Sequence, residues 1–249
     1  MTEVRTTDAA FVKYADEGAY HWKEISRHWW RHNAFTAERY RRLIAALGGR
    51  RSGRVLDFGC GDGALLGLLH KQQPALELHG FDPNEHGLAA GRAMLERHGV
   101  RATLHADAGA LPDDGFDAVV CTEVIEHVTD PAALLQTIRR VLAPGGTAVI
   151  STPIRLAEEP RDQNHRFEWF PSEFRRLLEA SGLHVTRVEA VMPVAAVEAY
   201  FWRPRLFFRV PVFRVLTNLL SIYGGVNAST WLAMRPRLHM MQLAVLTKP

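Results

Sequence analysis

Residues 54–69 read RVLDFGCGDGALLGLL, and this stretch decides the fold. It opens with an apolar run that reaches an acidic residue, Asp57, a pattern typical of a buried β-strand. Three glycines follow at alternate positions, Gly59, Gly61 and Gly63, and a leucine-rich helical pattern comes next. Glycines at a strand-to-helix turn permit a tight bend and a close approach of the backbone to a ligand. An ordinary βα turn can look the same, so the rest of the chain must support a binding role.

The alternation of strand and helix continues to about residue 190. Short apolar runs predict strands at 54–58, 77–81, 102–105, 117–121, 147–151 and 184–190. Helical patterns lie between them, for example at 65–71, 86–98, 131–142 and 171–181. A further apolar run predicts a last strand at 239–247. This order predicts βαβ units and an α/β fold with a doubly wound, mostly parallel sheet.

Length and composition exclude several classes of protein. The chain has 249 residues, 47% of them apolar and 23% charged, which excludes disordered, collagen-like and coiled-coil proteins. It has two cysteines, Cys60 and Cys121, so we expect no disulfide framework and a cytoplasmic location. The first residues lack the apolar core of a secretory signal, and we expect no transmembrane segment. The net charge of +3 permits a nucleic-acid partner but does not require one.

Acidic residues also end the second and third predicted strands. Asp82 lies in GFDP, where a carboxylate can accept both hydroxyls of a ribose, and Asp107 lies in HADA, where it can meet an adenine amino group. The carboxyl ends of parallel strands line the crevice in which this class of fold binds ligands. The third glycine follows the second by two residues, which departs from the G-x-G-x-x-G spacing of dinucleotide-binding folds.

The segments VLDFGCGDG, GFDP, HADA, FDAVVCTEVIEHV and LAPGG together resemble the class I S-adenosylmethionine-dependent methyltransferases. The resemblance covers residues 52–190 and the closing strand, and it implies a Rossmann-like sheet of seven strands with the last one antiparallel. It also implies the residues that bind S-adenosylmethionine: Asp57, Gly59, Gly61, Gly63, Asp82, Asp107 and Ala108. The glycines would cradle the methionine part, Asp82 the ribose, and Asp107 with Ala108 the adenine.

A second group of polar residues, Glu123, Glu126 and His127, directly follows the fourth predicted strand. In a helical turn, residues i, i+3 and i+4 share a face. Two carboxylates so close together are costly without a cation between them. The alternative is that Glu126 and His127 merely brace the loop.

The later segment HRFEW, residues 165–169, brings His165 to the same edge of the sheet. Together with E-x-x-E-H it is similar to the metal-dependent small-RNA 3′-terminal 2′-O-methyltransferases, the Hen1 family. That resemblance implies a divalent cation, Mg²⁺, Mn²⁺, Fe²⁺ or Zn²⁺, held by Glu123, Glu126, His127 and His165. Either histidine could instead be catalytic as a general base, because a nitrogen bound to a metal cannot also carry a proton.

Two segments flank this core. Residues 1–50 predict a helical cap over the cofactor with Tyr14, Tyr20, His21 and Trp22, while core packing is at least as good an interpretation for Trp29 and Trp30. Residues 191–237 predict an insertion rich in aromatic residues and arginine. It could be a lid over a small substrate, a surface for single-stranded RNA, or a patch that docks on a membrane. It could also be a homo-oligomer interface or additional core.

These patterns predict one methyltransferase domain, residues 51–249, with the cap at 1–50 and the lid at 191–237. We expect an S-adenosylmethionine-dependent O-methyltransferase, assisted by a divalent metal, that acts on a hydroxyl of a small metabolite or a sugar-containing natural product. The alternatives are terminal ribose 2′-O-methylation of RNA and O-methylation of a phenolic lipid, since quinone-pathway enzymes also carry E-x-x-E-H. A protein that binds the cofactor without catalysis is a further class, which the intact glycines and acids disfavour.

Overall fold

The structure, a computed structural model, describes residues 13–160, 162, 164–201, 211–227 and 238–249. These residues form one sheet with helices on both faces. The strands are β1 Gly53–Phe58, β2 Leu76–Phe81, β3 Ala102–His105, β4 Phe116–Thr122, β5 Leu142–Pro153, β6 His184–Pro193 and β7 His239–Thr247. The helices are α1 Lys13–Glu17, α2 Tyr20–Glu24, α3 Ala34–Ala46, α4 Ala64–Gln72, α5 Glu85–Arg97, α6 Pro131–Val141, α7 Pro171–Glu179, α8 Val194–Phe201 and α9 Val212–Gly224.

The sheet has the strand order β3-β2-β1-β4-β5-β7-β6. Strands β1 to β5 pair in parallel, and β7 is antiparallel to both β5 and β6. The predicted seven-stranded, doubly wound sheet with an antiparallel last strand is therefore confirmed. Because β7 is antiparallel to both of its neighbours, β5 and β6 run in the same direction. The carboxyl end of β6 therefore lies at the same edge of the sheet as those of β1 to β5. The order reverses between β1 and β4, which places the ligand crevice there.

The core has a layer on each face of the sheet. One layer holds Ile138 of α6 and Phe174 of α7, and the other holds Leu43 of α3 and Leu66 of α4. All four side chains are buried, and each contributes about 1.5–3 kcal/mol through removal of apolar surface from water. The two layers explain why the central strands are almost continuously apolar in sequence.

Helix α3 begins and ends at clear local signals. Asn33 caps its first turn by accepting bonds from the backbone N–H groups of Phe35 and Thr36. The apolar residues on one side of this helix and just after it are buried: Phe35, Tyr40, Leu43, Ile44 and Leu47. Gly48 and Gly49 follow with φ angles of 70° and 69°, which end the helix.

The structure corrects two expectations in the flanking segments. The predicted insertion boundary at residue 191 falls inside β6, which continues to Pro193 because Val191 and Met192 pack into a third apolar cluster with Phe35. Of the remaining insertion, α8 and α9 are described, whereas 202–210 and 228–237 lie outside the described residues. Core packing is wrong for Trp29 and Trp30, because both side chains are exposed. No described helix is long and apolar enough to cross a membrane.

Candidate cofactor and metal site

The glycine turn between β1 and α4 has the conformation that only glycine adopts easily. Gly59 and Gly61 have φ angles of 89° and 48°. A Cβ atom on Gly59 would lie 2.2 Å from a methyl group of Val124, so a side chain has no room there. The N–H groups of Gly59 and Cys60 both donate to the carbonyl of Phe81, at 2.7 and 2.9 Å, which ties the turn to β2.

Asp82 at the end of β2 is held by the backbone on both carboxylate oxygens. Its Oδ2 accepts from the N–H of Gly61 and its Oδ1 from the N–H of Asn84, each at 2.8 Å. Burial raises the pKa of Asp82, and these two N–H bonds act in the opposite direction. Each oxygen keeps a second lone pair, so the carboxylate can still accept the two hydroxyls of a ribose.

Asp57 lies beneath the glycine turn and is buried. Its Oδ1 has no hydrogen-bond partner among the described residues. Burial, followed by the charges of Asp82 and Asp62, raises the pKa of Asp57 to about 8. A positively charged group arriving beside this carboxyl would favour its ionised form.

Asp107 and Ala108 lie at the end of β3, one strand further along the same edge. The exposed Asp107 carboxylate accepts from the N–H of Gly109 at 2.7 Å and so caps a short 3-10 turn, Ala108–Ala110. Arg140 donates to the carbonyl of Ala108 at 2.7 Å and fixes that turn against α6. The three predicted acids, Asp57, Asp82 and Asp107, therefore lie at the carboxyl ends of three adjacent strands, in the order that the sequence indicates.

Asp62, between the last two glycines, was not among the predicted site residues. Its buried carboxylate accepts from the backbone N–H of His21 at 2.9 Å, and its carbonyl accepts from the Trp22 indole at 2.7 Å. The Tyr14 hydroxyl packs directly on Gly61, where it would overlap any added Cβ atom. Helices α1 and α2 thus close over the glycine turn. Asp62 lies inside the glycine motif, and that position could have identified it from the sequence.

Three of the four predicted metal ligands converge. Glu126, His127 and His165 each offer one ligand atom, and these atoms lie within 4.8 Å of one another. Glu126 and His127 follow β4, whereas His165 comes from the loop between β5 and α7. The two imidazole rings have centroids 5.0 Å apart.

Both histidine rings are oriented by hydrogen-bond acceptors. Nδ1 of His127 is 2.9 Å from the carbonyl oxygen of Asn164, and Nδ1 of His165 is 2.7 Å from Oε1 of Glu168. A carbonyl or carboxylate oxygen only accepts, so Nδ1 of each ring carries a proton and donates it, which leaves Nε2 as the ring nitrogen that faces away from these acceptors. Burial lowers the pKa of His127, which keeps its ring neutral. The spacing of three residues between His165 and Glu168 could have revealed this pair.

Glu123 lies outside the converging group. It has a φ angle of 53°, and its Oε2 is 3.5 Å from Nη1 of Arg39 on α3. Burial raises the pKa of Glu123, and the charge of Arg39 opposes that shift. Burial, followed by the charge of Glu123, raises the pKa of Glu126 well above its usual value. One oxygen of each carboxyl has no hydrogen-bond partner among the described residues.

A cavity of about 320 Å³ opens beside this group. Its apolar wall comes from the cap, β6 and α8, and includes Phe35, Met192, Val197 and Phe201. Its polar end includes Arg39, Glu123 and His165. The predicted cap and the described part of the predicted lid therefore meet two of the predicted metal ligands, Glu123 and His165, in one cavity at the carboxyl ends of the strands.

Comparison with known proteins agrees with this geometry. A family model described as a methyltransferase domain matches residues 29–188. The chain is 35% identical over 151 residues to a Mycolicibacterium smegmatis protein named a probable S-adenosylmethionine-dependent methyltransferase, a match that covers 59% of this chain and 56% of that protein. It thus spans little more than half the length of that relative.

Two further proteins are similar over different extents. The ubiquinone biosynthesis O-methyltransferase of Aeromonas salmonicida is 30% identical over 165 residues, which cover 58% of this chain and 68% of that protein. The solved structure of Haemonchus contortus phosphoethanolamine N-methyltransferase 2 with S-adenosyl-L-methionine has a TM-score of 0.67 at 18% identity, over 96% of this chain and 58% of that one. At 18% identity, the similarity to the Haemonchus contortus structure shows the fold alone.

The family match extends over more than half of the chain, from α3 through β6. The strand order and the glycine turn backed by Asp82 are independent of that match and agree with it. This chain therefore belongs to the class I S-adenosylmethionine-dependent methyltransferase family.

Proposed function

We propose that this chain is an S-adenosylmethionine-dependent O-methyltransferase in which Glu126, His127 and His165 hold a divalent cation beside the acceptor hydroxyl. The convergence of their three ligand atoms within 4.8 Å carries the proposal. The acceptors at Nδ1 of both rings support it, because histidines that bind metals are commonly fixed in this way through the other ring nitrogen.

The charge balance of the site supports a cation as well. Glu126 is fully buried, and among the described residues only one of its oxygens, Oε2, accepts a bond, from Thr152 at 3.1 Å. An ionised carboxylate in such surroundings is costly unless a positive charge compensates it. Two nitrogen ligands and one oxygen ligand suit Zn²⁺, Fe²⁺ or Mn²⁺ better than Mg²⁺, which prefers oxygen.

The residues have separate roles in the proposed reaction. A divalent cation, when bound, lowers the pKa of a coordinated hydroxyl. His165 and Glu123 line the cavity, so these two side chains are placed to touch the acceptor. Glu168 keeps the His165 ring in one orientation, and the Asn164 carbonyl does the same for His127. In the absence of a cation, either histidine could take the hydroxyl proton as a general base.

The cavity indicates the class of acceptor. Its apolar wall and polar end fit a small organic molecule that has an apolar body and one hydroxyl directed at His165. The relative from Aeromonas salmonicida is named for O-methylation in ubiquinone biosynthesis, so a phenolic hydroxyl is the first acceptor to test. The apolar wall fits such a molecule better than it fits the ribose and phosphate groups of RNA.

Metal removal tests the proposal. The purified chain is treated with a chelator, and conversion of S-adenosylmethionine to S-adenosylhomocysteine is followed with simple phenols, phenols that carry an alkyl chain, and an RNA oligonucleotide. We expect chelation to abolish methylation of a phenol, Mn²⁺ or Zn²⁺ to restore it, and cofactor binding in calorimetry to stay unchanged. Full activity after exhaustive metal removal would contradict the metal mechanism and leave a histidine as general base. Methylation of RNA alone would contradict the acceptor class.

A further inference from the structure

Helix α9 is amphipathic, but its polar face is buried and its apolar face is exposed, the reverse of an ordinary surface helix. Its polar residues Thr217 and Asn218 are buried, at 3% and 1% exposure. Its large apolar residues are exposed: Val212 at 62%, Leu216 at 55%, Leu220 at 47% and Tyr223 at 75%. These four recur at intervals of four, four and three residues, so they form one stripe along the outer face of the helix.

Specific hydrogen bonds fix this orientation. The Asn218 amide nitrogen donates to the carbonyls of Trp29 and His32, at 2.9 and 2.8 Å, and its oxygen accepts from the Tyr200 hydroxyl at 2.7 Å. Ser221 Oγ lies 2.9 Å from Nε2 of His32. Rotating α9 to bury the apolar stripe would break all four bonds. The outward apolar face is therefore built into the packing of the insertion against the cap.

The loop before α3 adds aromatic and basic groups beside α9. Trp29 and Trp30 are 44% and 52% exposed, and their rings meet edge to face with centroids 5.3 Å apart. Arg27 and Arg31, which flank them, are exposed. Residues 25–33 and 211–227 contain no Asp or Glu, so this region of the described chain carries positive charge without compensation from its own sequence.

We propose that α9 and the loop form a membrane-docking surface that lies on an anionic phospholipid bilayer. The surface consists of Val212, Leu216, Leu220 and Tyr223 together with Trp29 and Trp30. A helix with an exposed apolar stripe lies in the plane of the lipid interface, and tryptophan is favoured at that depth. Arginines beside the stripe are attracted to anionic headgroups. A second copy of the chain fits less well, because a symmetric dimer would bring two basic surfaces together.

Phe201 connects the proposed acceptor cavity to α9, because it lines the cavity and its ring centroid lies 5.9 Å from the guanidinium carbon of Arg214 on α9. Phe201, at the end of α8, is 49% exposed and also lines the cavity. An acceptor whose apolar tail lies in the bilayer could therefore present its hydroxyl to His165 while the protein stays docked. Presentation of the hydroxyl to His165 rests on the proposed function, whereas docking does not. A vesicle measurement therefore tests docking, and a methylation assay tests the proposed function independently.

Vesicle sedimentation of the full chain tests docking. We expect binding to vesicles of phosphatidylcholine with about 30% phosphatidylglycerol, weaker binding to phosphatidylcholine alone, and loss of the difference at high salt. The double variant Leu216→Glu/Leu220→Glu should partition at least about tenfold less. Lys71→Ala/Arg101→Ala is the matched control. It changes the net charge by the same amount at exposed residues of other elements, and it should bind as the unmodified chain does.

A second pair of variants separates charge from apolar contact. Arg27→Ala/Arg31→Ala should bind both kinds of vesicle equally. Tyr223→Glu, at the most exposed position of the stripe, keeps the test valid if the double leucine variant does not fold. Unchanged binding by these apolar variants, or no vesicle binding by the unmodified chain, would overturn the proposal. A dimer in analytical ultracentrifugation that Leu216→Glu/Leu220→Glu dissociates would show instead that the surface joins two copies.

Discussion

The two halves of the crevice are built differently. On the cofactor side, the acids after β2 and β3 each accept from the backbone N–H two residues further along the chain, Asp82 from Asn84 and Asp107 from Gly109. On the acceptor side, Glu126 is buried and Glu123 is half-buried, and one oxygen of each lacks a described partner. The histidine nearest the cavity is oriented by a loop that precedes α7, far from β4 in the chain.

This difference indicates that cofactor binding and the proposed methyl transfer depend on separate sets of residues. Local chain geometry holds the carboxylates of Asp82 and Asp107, so this part of the cofactor side is preorganised before any ligand arrives. On the acceptor side, one oxygen of Glu126 has no hydrogen-bond partner among the described residues and two imidazoles converge with this carboxyl, which suits a site completed by a cation. Substitutions on the two sides should therefore give opposite patterns of loss.

The largest effect is expected on the acceptor side. His165→Ala removes one proposed ligand and one wall of the cavity, so turnover should fall by about 10²–10⁴-fold, whether the residue serves as a ligand or as a general base. Calorimetry should show unchanged affinity for S-adenosylmethionine and weaker binding of Mn²⁺. His184→Ala, at the exposed start of β6, is the matched control. A parallel loss of cofactor affinity would break the separation between the two sides.

A smaller and opposite effect is expected from Asp82→Ala. The variant loses the acceptor of two ribose hydroxyls, so S-adenosylmethionine should bind more weakly by about 1.5–3 kcal/mol, the range for hydrogen bonds to charged groups. Binding of Mn²⁺ should not change. Asp107→Ala, which removes an exposed carboxylate from the same edge, should cost less. If calorimetry gives the same cofactor affinity for Asp82→Ala and the unmodified chain, the ribose lies elsewhere.

A third effect concerns the stability of the cofactor side without ligand. The pKa of Asp57 is about 8 in the folded chain, against about 3.9 for an unfolded aspartate. Between these values the folded state binds a proton that the unfolded state does not, so this stabilisation is complete below pH 4 and is lost as pH rises through 8. The variant Asp57→Asn has no carboxyl group at this position, so its stability lacks this dependence on pH.

Thermal melting measures this difference. Between pH 5 and pH 8, the free energy of unfolding of the unmodified chain should fall by about 3–4 kcal/mol relative to that of Asp57→Asn. At about 2–4 °C per kcal/mol in a chain of this size, the Tm should fall by about 10 °C. Asp16→Asn, at an exposed position of α1, controls for the loss of an acid. Melting curves that shift in parallel for Asp57→Asn and the unmodified chain would show that Asp57 is ionised in the folded state.

The sequence predicts most of the sheet because its strands are buried between two layers of helices. Continuous apolar runs mark such strands, and the strands at 102–105 and 239–247 have the bounds that the runs indicate. The extension of β6 to Pro193 could not be read in this way. It depends on Phe35, which approaches Val191 and Met192 from a distant part of the chain, and on the packing of the following helix through Tyr200.

The same distinction applies to the site and to its surroundings. The glycines and the acids after β1, β2 and β3 follow from local motifs, whereas the pairing of Glu123 with Arg39 joins residues 84 positions apart and leaves no trace in spacing. For helix α9, periodicity alone predicts the wrong buried face, because an apolar stripe ordinarily faces the core. Here Asn218 satisfies the Tyr200 hydroxyl and two loop carbonyls, and those bonds turn the stripe outward.

The position of β7 also has a consequence for synthesis of the chain. Strand β7 lies between β5 and β6, although the ribosome makes it after both. Strands β1 to β5 can pair as soon as residue 153 has emerged, but β6 has to wait for residues 239–247. At about 5–20 residues per second, the stretch from β6 to β7 takes several seconds to translate. Throughout that interval the nascent sheet presents an open edge at β5, which is the period in which a chaperone would protect this protein from edge-to-edge aggregation.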